Sequence, residues 1–468
     1  MTIQVSDQIS NGQPLSQFAA IADRSKFANQ ILALYKPETS APDTLTNKYL
    51  AEVQQEVSTN LATLNFPTTK DEEWKFTDIS ALAKLALTRP ASDRTADLAI
   101  AQAIEKASIP EATENLITFI NGAFSSQYSH IQNLGDSFQD ASRRIVVGTL
   151  GTIGDDIAPI LRSHLAKHPD IQDFFATLNT ACLSGLAKDV AVVLIPKGVS
   201  IEAPIQLLFV SADGGIISQP RCLVVAEAHS KVTLVETYVG MDSQPYFTNT
   251  VTEIWLAESA QVHHTKVQQE GNEAFWVANT AIAQSRHSVY QGNTISLGAK
   301  LSRHNLYARQ MGEQTETHLN GLAFMDSQRL ADTHSSMSHD YPHGSSNQLH
   351  KCIAGDRGHA VFNGKIQVAK PAQLTDSRQL SRNLLLSAKA RIDTKPQLEI
   401  FADNVKCAHG ATVSQLDAEE VFYLQSRGID AASSASLLTY AFAAEVINQI
   451  AIASLRESLS AFVLEHLG

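Results

Sequence analysis

The chain has 468 residues, of which 44% are hydrophobic and 18% charged, and a formal net charge of -12. That is enough core-forming material for roughly two to four domains, or for one elongated body with terminal additions. The negative balance argues against nucleic acid or an anionic membrane as the main partner. The opening MTIQVSDQISNGQPLSQ has no basic region followed by an apolar run, and no run approaches the ~18 apolar residues that a bilayer crossing requires. The expectation is a cytoplasmic protein without membrane contact.

Residues 1-187 read as an N-terminal, mainly helical region with a short strand segment. SQFAAIADRSKFANQILALY and NKYLAEVQQEVSTNLATL carry apolar residues at helical spacing, separated by a Pro/Thr/Ser-rich break. The charged turn FPTTKDEEWKFTDIS, containing Trp74, follows. LITFINGAF (Leu116 to Phe124) alternates like a strand, and helical patterning resumes from DDIAPILRSHLAKH to FFATLNTACLSG.

Residues 188-416 change texture. Short alternating runs such as VAVVLIPKGVSI, RCLVVAEAHSKVTLVETYVG and LEIFADNVKCAHGATV succeed one another with no helical pattern between them. This disfavours a parallel sheet with helical crossovers and leaves a sandwich, a barrel or a β-solenoid. A solenoid accounts best for loosely similar successive runs, because each rung packs on its neighbours.

Residues 417-468 return to helix. Asp417, followed three residues later by Glu420, resembles a capping box, and Gly428 sits where the helix would stop. Beyond it Leu438, Phe442, Val446, Ile450, Leu459 and Val463 form one apolar stripe, suited either to the chain's own body or to a partner.

Several chemistries drop out. GNTISLGAK (Gly292 to Lys300) does not fit the phosphate-loop pattern, and no GxSxG elbow or GxGxxG turn occurs. No nucleotide is expected on this chain, and no catalytic residue is assigned. Polysaccharide-cleaving β-helices use clustered carboxylates, for which no turn motif stands out. The histidine-rich stretch holds His334, His339, His343, His350 and His359. His339 and His343 have a helical zinc spacing, but Pro342 and Gly344 break any helix there, so stacked polar residues or a contact surface is the reading.

Four cysteines, Cys182, Cys222, Cys352 and Cys407, are scattered without zinc or ferredoxin spacing. The first three, flanked by apolar residues, read as buried thiols. Cys407 differs, because His409 stands two residues on, on the same face of an extended strand. Thiolate and imidazole are both iron–sulfur ligand types. One of each cannot saturate a cluster, so a cluster here needs ligands from elsewhere. A buried strand pair is the other reading.

The stretch GHAVFNGKIQVAKPAQLTDSRQLSRNLLLSAKARIDTKPQLEIFADNVKCAHGATVSQLDAEEVFYLQSRGI resembles the SufB/SufD family of the SufBCD iron–sulfur cluster assembly complex, on its SufD side. PTTKDEEWKFTD and LNTACLSGLAKDVAVVLIPKGVSIEAPIQLLFV are similar to the family's earlier motifs. The resemblance implies a mainly β fold, a central right-handed parallel β-helix flanked by N-terminal and C-terminal helical regions. It implies a non-catalytic scaffold that pairs with SufB, binds the SufC ATPase through the C-terminal helices, and helps build a transient iron–sulfur cluster at the heterodimer interface. A homodimer is possible in isolation. The family's Cys-x-His-Gly motif falls on Cys407, Ala408, His409 and Gly410, which makes His409 and Cys407 the cluster-facing residues. Phe422, Tyr423, Leu424 and Arg427 are the expected ATPase contacts. A purely structural adaptor, with no cluster ligand of its own, is the alternative.

Overall fold

The computed structural model describes residues 26–36, 44–90, 97–131, 145–241 and 243–466. The helix read over residues 16–35 is present over 26–34, and its earlier part lies outside the described residues. Leu45–Leu61 is the second expected helix. Thr44 caps it by accepting the N–H of Asn47, and Tyr49, Leu50, Val53 and Leu61 form its buried face.

The body is a mainly β parallel solenoid. From Arg221 onward, strands alternate between two large sheets, and successive strands of each sheet, two places apart in sequence, pair in parallel. The first sheet starts at the hairpin of Asn115–Ile120 with Ala123–Ile131, crosses Ile205–Ser211, and ends at Lys406–Gln415. The second runs from Val146–Thr149 and Ala191–Ile195 to Arg391–Ile400. Alternate residues of each strand point into the space between the sheets, so Ile, Val and Leu stack rung on rung into one elongated core.

One corner is built from a repeated left-handed residue. His229, Ser259, His287, Gln314, His343 and Leu374 have φ between 53° and 62°. The N–H of each donates to a carbonyl of the next turn, at 2.7 to 3.2 Å. The strain of a non-glycine residue at positive φ is repeated at every turn and held by the hydrogen bond that stacks one turn on the next.

The interior is not wholly apolar. Glu236 is fully buried, 3.2 Å from Lys266 Nζ and 2.9 Å from His264 Nε2, and it accepts the Tyr238 hydroxyl at 2.6 Å. Burial alone would raise its pKa, but Lys266 and His264 outweigh that and hold the carboxyl well below its usual range. On the second sheet Arg221 and Glu253 form another buried ion pair, and Glu253 also accepts the backbone N–H of Ala166 at 2.8 Å.

The tail settles what its apolar stripe covers. Val446, Ile450, Leu459 and Val463 are buried against Val267, Ile295, Leu322, Phe324, Ile353 and Leu384 of the solenoid's outer face. The helices Ala431–Ile447 and Ala453–Glu465 therefore pack on the chain's own body. The helix before them, Ala418–Ser426, has no buried residue.

Candidate functional site: the uncovered end of the solenoid

Among the described residues, Lys406–Gln415 is the last strand of its sheet and pairs only with Asp376–Leu385. Arg391–Ile400 is the last of the other and pairs only with His359–Val368. Each presents a row of backbone N–H and C=O groups along one edge, the kind of edge that proteins cover or pair. Phe401 (66% exposed), Ile400 and Val413 (47%) stand at the same end.

Cys407 and His409 sit here. On the neighbouring strand Asp376–Leu385 the alternate residues Ser377, Gln379, Ser381 and Asn383 are buried, as is Leu384, and the register partners of the four are Cys407, His409, Ala411 and Val413. The pair therefore lies on the inward-facing line, as period-2 spacing requires, but among the described residues no further rung covers it. Cys407 is half-buried against the central core and His409 is exposed. Burial pushes the Cys407 thiol up, and a hydrogen bond from the Ser377 backbone offsets part of that. Metal coordination deprotonates such a thiol outright.

Two polar ladders lead up to the pair from inside. Below Cys407, Ser377 Oγ lies 2.6 Å from Ser346 Oγ. Ser346 Oγ is 3.0 Å from His339 Nε2, and His339 Nδ1 is 2.7 Å from Gln310 Oε1. Below His409, Gln379 Nε2 donates to Gln348 Oε1 at 2.8 Å, and Gln348 Nε2 donates to Ser335 Oγ at 2.8 Å. Gly364 makes room for this second ladder, because a Cβ there would lie 2.3 Å from Gln379 Nε2.

The remaining histidines of the rich stretch disperse. His334 bridges Glu73 and Asp332, at 3.0 Å to each. His339 is inside the first ladder, and His343 is exposed on the left-handed corner. His350 stacks on Phe362 with ring centroids 4.3 Å apart, and His359 is 2.7 Å from Asp393. Among the described residues no group of three His, Cys, Asp or Glu side chains is placed to hold a metal. Cys182, Cys222 and Cys352 are fully buried, and burial pushes Cys182 and Cys352 to about 12.

On Ala418–Ser426, the Asp417 carboxylate caps the first turn by accepting the N–H of Glu419 at 2.8 Å. Gly428, at φ 88°, follows the last turn. Phe422 (70% exposed) and Tyr423 (57%) project into solvent. Leu424 is half-buried, and Arg427 lies 5.0 Å from the Tyr423 ring. The four expected contacts thus share one capped helix with an open aromatic face.

Residues 209–442 match the family described as "SUF system FeS cluster assembly, SufBD core domain", and residues 25–207 match "SufBD protein N-terminal region". The chain belongs to the SufBD family. It is 41% identical over 420 residues to an iron–sulfur cluster assembly SufBD family protein of Synechocystis, covering 88% of this chain and 89% of that one. It is 31% identical over 418 residues to a chloroplastic Arabidopsis protein (87% and 84% covered). To the iron–sulfur cluster assembly protein SufD of Escherichia coli it is 29% identical over 423 residues (89% and 92%). As a SufBD-family member, this chain is a component of iron–sulfur cluster assembly. Among the described residues no helix is long and apolar enough to cross a membrane.

Sequence reasoning passed over Gln379, Ser377 and the buried Glu236–Lys266–His264 group. Glu236 had a signal, since it occupies an inward position in the alternating run VTLVETYV. Gln379 and Ser377 had none, because polar residues in alternation look the same whether they face solvent or line an interior.

Proposed function

We propose that this chain is a SufD-type scaffold subunit of a cytoplasmic assembly complex. It pairs with a SufB subunit through the uncovered end of its solenoid, and a nascent cluster is built between the two with His409 and Cys407 as this chain's ligands. The carrying observation is that, of the two thiol–imidazole pairs with this spacing, His350–Cys352 is buried inside the solenoid while Cys407–His409 lies on its last rung among the described residues. There a second chain can complete a ligand set that this chain supplies only in part. The exposed apolar residues at the same end support burial against a partner.

ATP chemistry is assigned to a separate SufC ATPase. Its docking point on this chain is Ala418–Ser426, with Phe422, Tyr423, Leu424 and Arg427 as contacts; exposed aromatic residues on a rigid helix suit an interface anchor.

The test is anaerobic cluster reconstitution on co-expressed complexes. His409→Ala should assemble the complex normally but give less cluster, and Cys407→Ala should give a smaller deficit. Wild-type rate and yield with His409→Ala would make this chain a structural adaptor for the ATPase with no ligand of its own.

A further inference from the structure

Gln379 is 1% exposed, and its Oε1 has no hydrogen-bond partner among the described residues. An unpaired buried amide oxygen costs about 1–3 kcal/mol and calls for a reason. The amide is not loosely placed, because Nε2 is held by Gln348, Gln348 is held by Ser335, and Gly364 supplies the space. Gln379 is also the register partner of His409. Neighbouring strands lie about 4.8 Å apart, within reach of an amide and an imidazole on the same face.

We propose that Gln379 is the positioning residue for His409, its Oε1 accepting the ring N–H of the nitrogen that does not bind metal. The inference rests on the reading of His409 as a ligand. A ligating imidazole has one nitrogen on the metal and one N–H left over, and a fixed acceptor for that N–H selects the tautomer and holds the ring plane. The oxygen left without a partner in the isolated subunit is then satisfied when the ring turns to coordinate. The ladder Ser335–Gln348–Gln379 sets the acceptor in place from the interior, where substitution on the surface does not reach it.

The test is a double-mutant cycle on the full-length chain, titrated anaerobically with Co(II). Affinity is read from the cobalt–thiolate absorption that Cys407 gives. Gln379→Met, close in shape and without the amide, should weaken binding about 10–100-fold. In a His409→Ala background, Gln379→Met should have no further effect. Unchanged affinity in Gln379→Met, while His409→Ala weakens binding, overturns the assignment of Gln379 alone. So does an equal loss with and without His409, which would mark a role in folding only. If His409→Ala itself leaves Co(II) affinity unchanged, the ligand reading fails and takes this proposal with it.

Discussion

A buried imidazole answers to two demands, one from its neighbours and one from pH. His339 and His350 are both inside the solenoid, and burial pulls their pKa values down to about 4 and about 3. They are neutral in the folded chain throughout the range where the unfolded chain, with ordinary values near 6.5, takes up protons. Their effect on stability is therefore nil above pH 6.5 and grows as pH falls, levelling off only near the folded values. Lowering the pH to 5 should cost about 2 kcal/mol for each of the two. Urea midpoints measured between pH 7.5 and 5 should fall accordingly, and His350→Gln should flatten the dependence by about one histidine's share. The same neighbourhoods separate the histidines by function. His343 is exposed and serves as a neutral control in cluster assays. His334→Ala removes one partner each of Glu73 and Asp332 and should lower stability without a specific cluster defect.

Among the elements, the three C-terminal helices divide the work that the sequence had left joined. Helical periodicity says which face is apolar, not what covers it. Leu459 is buried in the cluster that joins the last helix to the solenoid, so Leu459→Ala should cost about 2–5 kcal/mol in denaturant unfolding. Phe422 is exposed, and Phe422→Ala should leave the unfolding midpoint within error while weakening co-purification of the ATPase. Deleting residues 417–468 should abolish that co-purification, although it also strips the cover from the outer sheet; Phe422→Ala is the cleaner variant. The element types themselves were legible. Alternation through 188-416 identified strands, and Asp417 and Gly428 marked a helix that the structure places between them. The anticipated reciprocal half of the capping box is absent among the described residues, where Asp417 acts on the N–H of Glu419 alone. Less legible was the contribution of Asn115–Ile120, whose residues are all buried. Its parallel pairing with Ile205–Ser211 is a long-range fact that no local pattern encodes.

For the molecule as a whole, a solenoid must end, and the manner of ending decides what it can join. This one starts behind an N-terminal hairpin and helices and finishes on two bare strands. The interior ionic group near its middle is a stability risk rather than a reserve: Glu236→Ala would leave Lys266 buried without its carboxylate, with an expected cost of about 3–5 kcal/mol in urea unfolding. On the proposed function, the bare end carries the association. Phe401→Asp with Val413→Asp should leave the isolated subunit as stable as wild type but reduce pairing with SufB in analytical ultracentrifugation. Position on the bare end is what singles out the Cys407–His409 pair, and the sequence could supply the spacing but not the strand's terminal place in the sheet.

The central claim is that His409 is a ligand of the cluster built between the two chains. It is tested most directly by pulsed electron paramagnetic resonance on the reduced, reconstituted complex, with 15N-histidine incorporated into this chain alone. The account predicts a 15N coupling to the cluster that is lost in His409→Ala and kept in His343→Ala. A cluster that forms with no 15N coupling, or with one that survives His409→Ala, would contradict it.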